Sequence, residues 1–155
     1  MTDNSLIEVL RNYGVDQPHI ELLRHNEKKT YKVNDLIKRK LFLFRIHLPL
    51  TENFAGLQHT YNGLPSELQL LLEIAEHSGL IVQQPIRNCY GNFITKIDYE
   101  GKQAYCSLLT WIEGKDLQNE DLSDIRVVTL LGTKIAELHR FFQEFDENEK
   151  EYMLI

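Results

Sequence analysis

A chain of 155 residues, 43% of them hydrophobic, is long enough to bury one ordinary core, so one domain, or one lobe of two, is the organisation to expect. Its 17 basic and 23 acidic side chains leave a net charge of −6, and the cations are scattered, which argues against a nucleic-acid or anionic-membrane partner. The start Met1-Thr2-Asp3-Asn4-Ser5 has no basic, apolar signal pattern and no apolar stretch reaches bilayer length, so a cytoplasmic protein is expected.

Asn4 or Ser5 is placed to cap a short helix carrying Leu6, Ile7, Val9 and Leu10, which Gly14 ends in a left-handed conformation. The period then changes. Residues 19–24 and 30–34 read as two strands around the polar connection 25–29, and residues 40–48 as a third. In that third strand Leu41, Leu43, Arg45 and His47 share one face, and Phe42, Phe44, Ile46 and Leu48 the other. Both faces are largely apolar, which makes Arg45 the odd residue.

Residues 49–63 show no period and read as a loop. A helix follows from about residue 64 to before Gly79, its apolar stripe formed by Leu64, Leu68, Leu71, Leu72 and Ala75. Glu67 alone among its acids borders that stripe. Beyond Pro85, residues 93–99 and 103–111 read as a hairpin across Glu100-Gly101. Residues 112–117 look like a connector, and a long helix is expected over 123–145 with Leu131, Ile135, Leu138, His139 and Phe142 along one side. The charged tail after it is expected to fray.

The two cysteines, Cys89 and Cys106, make no CxxC spacing and read as free, structural thiols. The six histidines form no HExxH or other close metal-ligand pair, so no metal site is expected, and His139 reads as a hydrogen-bonded core histidine. No GxSxG and no Walker loop occurs.

The order hairpin, apolar strand with an inward cation, helix with one acid at its core edge, hairpin, connector, long helix resembles a protein-kinase-like amino-terminal lobe. The fragments Asn26 with Tyr31-Lys32-Val33, Leu43-Phe44-Arg45-Ile46, Ser66-Glu67-Leu68, Gln84-Pro85-Ile86, Trp111-Ile112-Glu113-Gly114 and the run from Leu131 to His139 together resemble the aminoglycoside phosphotransferase and choline-kinase-like small-molecule kinases. The resemblance covers roughly residues 15–145, through the order and spacing of fragments that are individually unspecific.

That resemblance implies an α+β fold: a five-stranded antiparallel sheet, a helix equivalent to the αC of kinases, an N-terminal helix and a long C-terminal helix. Residues 1–111 would form the nucleotide lobe, 112–122 a connector and 123–155 the first helix of a second lobe with an acidic tail. It further implies that Arg45 holds the phosphates of ATP or GTP and that Glu67 orients it. An arginine fork can bind phosphate and carboxylate together. Protein kinases use lysine there, and the bland alternative for Arg45 and Glu67 is an ordinary ion pair.

By the same resemblance Asn26 lies near the tip of the loop over the phosphates, although that loop carries no glycine. Leu43 would wall the adenine, and residues 108–112, with Leu109, Trp111 and Ile112, would border the base and supply its hydrogen bonds. The catalytic aspartate, the asparagine and the magnesium ligands of the family lie beyond His139 and have no match here. This chain alone is therefore expected to bind nucleotide weakly, to hold magnesium only with the missing lobe, and to be inactive. Apolar surface along the long helix, at Leu138, Phe142 and Phe145, is expected to meet that lobe or a second copy. Two other readings stay open: a stand-alone lobe that binds nucleotide or protein without chemistry, and an unrelated α+β binding domain.

Overall fold

Leu6, Leu10 and Tyr13 recur at helical spacing, and only a helix puts all three on one face. In a computed structural model, which describes residues 3–25, 28–48 and 63–152, they lie on and just beyond helix α1, Asp3–Asn12, and are buried. The helix already includes Asn4 and Ser5, so neither stands at the expected cap position. It ends as expected at Gly14, whose φ is 75°. The N–H of Gly14 bonds the carbonyl of Arg11 at 2.8 Å and that of Val15 bonds Leu10 at 3.1 Å, satisfying carbonyls that the helix end leaves open.

Strands β1, Pro18–His25, and β2, Lys28–Asp35, pair as a hairpin, and β3, Lys40–His47, pairs with β2. The β2–β3 turn is built on Asp35, a fully buried carboxylate whose Oδ1 accepts from the N–H groups of Ile37 and Lys38 at 3.0 and 3.1 Å. Strands β4, Pro85–Ile86, β5, Ile94–Tyr99, and β6, Lys102–Thr110, complete an antiparallel sheet. Glu100 and Gly101, at φ 54° and 75°, make the tight turn of the β5–β6 hairpin.

The sheet has six strands where five were expected. β6 is flanked by β3 on one side; on the other, β5 pairs with its first part and the two-residue β4 with Leu108 and Leu109. The sheet is therefore five positions wide, with the outermost shared by two short segments. Pro85 confines β4 to that edge, because it cannot donate to a further strand.

The chain falls into two compact units, Met1–Leu71 with Gln83–Trp111, and Leu72–Val82 with Ile112–Ile155. In the first, the alternation of β3 divides the core. Phe44 and Ile46 join Val33, Cys106 and Leu108 beneath α1. On the opposite face Leu43 and Leu109 pack against Leu64 and Leu68 from the first half of helix α2, Gly63–His77.

The second unit carries a turn of 3-10 helix at Asp121–Ser123 and helix α3, Ile125–Tyr152. The helix extends beyond residue 145, where its end was expected, to Tyr152. Phe141, only 5% exposed, is a buried aromatic of α3, with the rings of Phe142 and Phe145 at 5.3 and 5.7 Å. His139 is exposed, contrary to its reading as a core histidine, because the buried stripe passes through Phe141.

A polar knot lies inside the first core. The Tyr13 hydroxyl sits 3.2 Å from the carbonyls of Phe93 and Cys106 and accepts from Thr95 Oγ1 at 3.0 Å, while Cys106 Sγ donates to the Thr95 carbonyl at 3.4 Å. Burial pushes the Cys106 thiol up to about 12 and raises the Tyr13 hydroxyl as well. Cys89 is exposed. At pH 8 a disulfide reagent is therefore expected to titrate Cys89 at once and Cys106 only after denaturation; rapid labelling of both thiols would contradict the packing. The linkage has a definite sign: both folded-state values are raised, so this stabilisation is intact below the unfolded thiol value of 9.0 and is lost as pH rises towards 12.

Candidate functional site

The register of β3 assembles one sheet face row by row. Arg45 stands opposite Thr30 on β2 and Ser107 on β6; Leu43 stands opposite Lys32 and Leu109; Leu41 stands opposite Asn34. Directly paired residues share a face, so the Arg45 row, the Leu43–Leu109 row and the Leu41–Asn34 row follow one another along β3. The N–H of Trp111 bonds the Leu41 carbonyl at 3.3 Å, which extends the Leu41 row to the tryptophan.

Arg45 is half-buried. Its NH2 donates to Gln83 Oε1 at 2.9 Å, and its NH1 lies 3.7 Å from Glu67 Oε1. Burial lowers the guanidinium's pKa and the Glu67 carboxylate partly offsets this, so the group remains a fixed cation. The structure thus brings together the expected pair, but its short contact goes to an amide. Glu67 is 38% exposed and beyond hydrogen-bond length, so the ion pair contributes about 0–1 kcal/mol. Gln83 was missed because nothing in the run Gln83-Gln84-Pro85 marks one glutamine over the other.

Leu43 and Leu109 are buried beside the arginine and pack against Leu64 and Leu68 of α2. The backbone at the end of β6 is largely committed. Thr110 N–H bonds Gln84 O at 2.9 Å, Trp111 N–H bonds Leu41 O, and Leu109 pairs with Pro85. Of residues 108–112, expected to serve a base, only the backbone past Trp111 is outside the sheet. Ile112 begins the second unit and is 39% exposed. Asn26 lies outside the described residues.

Trp111 is covered by Lys32, whose ammonium lies 4.7 Å from the ring centre. Its Nε1–H is shut off from solvent without an acceptor among the described residues, which costs about 1–3 kcal/mol. Beside this pair a groove of about 320 Å³ is lined by His19, Glu21, Lys32, Asn34 and Leu41. A larger groove, about 630 Å³, runs past Pro65, Arg87, Tyr90, Phe93 and Tyr105, and contains none of the residues singled out from sequence. Arg87, one of its two cations, stacks its guanidinium 3.9 Å from the Phe93 ring.

An open antiparallel sheet with a half-buried arginine on its third strand and a helix following that strand defines an α+β, protein-kinase-like fold. Solved structures that share it include two kinases. The microcompartment-associated aminopropanol kinase superposes with a TM-score of 0.67 at 21% identity, covering 90% of this chain and 40% of its own. The amicoumacin kinase in complex with AMP-PNP, Ca2+ and Ami superposes with a TM-score of 0.54 at 16% identity, covering 77% of this chain and 34% of its own. The kinase-like fold expected from the sequence is the fold of the chain, which spans 40% or less of either kinase. No protein-family model and no curated protein matches the sequence.

Proposed function

We propose that this chain is the N-terminal, nucleotide-binding portion of a small-molecule kinase of the aminoglycoside-phosphotransferase type, taking ATP or GTP. The observation that carries the reading is Arg45: a guanidinium held by Gln83 and Glu67 beside the buried Leu43 and Leu109, on a fold shared with solved kinases. Such a cation presents phosphate with a preset donor. Leu43, Leu109 and Trp111 would wall the base, Ile112 would border it, and Asn26 would approach the phosphates. One of the two kinases was solved with a nucleotide analogue, which supports nucleotide as the ligand here.

In this reading the aspartates that accept the substrate proton and hold magnesium come from a second lobe, which would also choose the acceptor. Exposed apolar residues on α3, with Ile125 at 74%, Leu130 at 59% and Ile135 at 47%, support a protein surface, that lobe or a second copy, as its cover. No helix among the described residues is long and apolar enough to cross a membrane, and a cytoplasmic location belongs to this proposal.

The test is an amide-shift titration with ATP and GTP. Resonances of Leu43, Arg45 and Leu109 are expected to move while the chain alone shows no phosphoryl transfer above background. A titration in which none of the three moves defeats the nucleotide assignment, and measurable turnover defeats the placing of the catalytic aspartates on another lobe.

A further inference from the structure

Lys32 and Trp111 meet on the sheet face that carries Arg45. The ammonium rests over the indole, and the Trp111 N–H is tied to Leu41 in β3. Leu41 lies four positions before Arg45 on β3, roughly 13 Å away at the rise of a strand. A nucleotide whose phosphates rest on Arg45 and whose body follows β3 therefore brings its nucleoside to Trp111. An indole face is where a base stacks. In this structure a cation occupies it.

That cation has somewhere else to go. Glu21 is the direct cross-strand neighbour of Lys32 in the β1–β2 ladder, and such neighbours are close enough for opposite charges to pair. Lys32 and Glu21 form no ion pair with one another in this structure, the lysine resting on the indole instead. Both side chains line the groove of about 320 Å³ that opens beside the tryptophan, so the lysine can swing without leaving it.

We infer that Lys32 competes with the nucleoside for Trp111: it covers the indole in the free chain, and a bound base displaces it towards Glu21. The inference rests on the nucleotide reading above and adds to it a residue that sets affinity. A ligand that must first displace a covering group binds more weakly by the fraction of time the site is covered. Weakening the cover therefore tightens binding, and strengthening it does the reverse.

Trp111 is the single tryptophan, so its emission reports the site directly. The full chain is titrated with AMP-PNP and with uncharged adenosine, which removes any attraction between Lys32 and the phosphates. Tryptophan emission and the Arg45 amide resonance are followed together. Lys32→Met keeps the aliphatic stem and is expected to bind adenosine about three- to tenfold tighter; Lys32→Arg, which stacks more strongly, is expected to bind it about threefold more weakly. Equal or weaker adenosine binding by Lys32→Met overturns the inference. So does AMP-PNP binding that moves Arg45 while Trp111 emission stays constant, an outcome that leaves the nucleotide reading standing. Silence of both signals with either ligand defeats that reading itself.

Discussion

Replacing Arg45 with alanine is expected to lower nucleotide affinity by about 10- to 100-fold while leaving the fold intact. The estimate follows from charge-assisted hydrogen bonds worth about 1.5–3 kcal/mol, each 1.4 kcal/mol being tenfold in affinity. The side chain is half-buried on the second core face, and the first core does not depend on it. Calorimetric titration with AMP-PNP, beside a thermal melt of the same variant, reads both quantities. Arg45→Lys keeps the charge but loses the fork, and should fall between wild type and alanine. The two groups that hold the arginine should not be equivalent. Gln83→Leu removes a 2.9 Å hydrogen bond, whereas Glu67→Gln weakens a 3.7 Å, partly solvated attraction, so the first should reduce affinity more. An Arg45→Ala chain that binds within twofold of wild type would show that the phosphates rest elsewhere.

Phe44→Ala should be the most damaging single change to stability, at about 3–5 kcal/mol. Phe44 is fully buried in the middle of β3, beneath α1, with the Tyr31 ring 6.2 Å away at a tilt. Alanine there leaves a cavity that a strand paired on both sides cannot close by shifting. Because domain stabilities are only about 5–15 kcal/mol, the variant should be extensively unfolded at low urea concentration. Phe42, half-buried at the margin of the same cluster, should cost clearly less when truncated. Equal losses at both positions in urea denaturation would mean that the alternation of β3 does not order the core as described.

The strand from Lys40 was legible because alternation is a local property: successive side chains point to opposite faces wherever the strand is placed. The turns were legible for a similar reason. Gly14 and the Glu100-Gly101 pair sit at positive φ, a conformation that their own backbones accept or that a tight hairpin demands. The stripe on α2 placed Leu64 and Leu68 correctly, although it omitted Ile74, which is buried as well. On α3 the local rule did less. Leu131, Ile135 and Phe142 keep helical spacing yet are at least 39% exposed, and Phe141 beside them is buried. Spacing fixes which residues share a stripe, and a neighbour decides which stripe is covered.

The sequence by itself determined the main helices and five of the six strands, the two faces of β3, and the presence of an arginine inside its apolar run. Helical spacing also marked Glu67 as the acid bordering the α2 stripe, and the resemblance to small-molecule kinases implied that it meets Arg45. Only the tertiary structure decided that Gln83 makes the arginine's short contact, that β4 and β5 share one edge of the sheet, and that Lys32 lies on Trp111. Each depends on the register and path of segments far apart in the chain. Periodicity is set by neighbouring residues, whereas these contacts are set by where the strands cross over and which residue then stands opposite which.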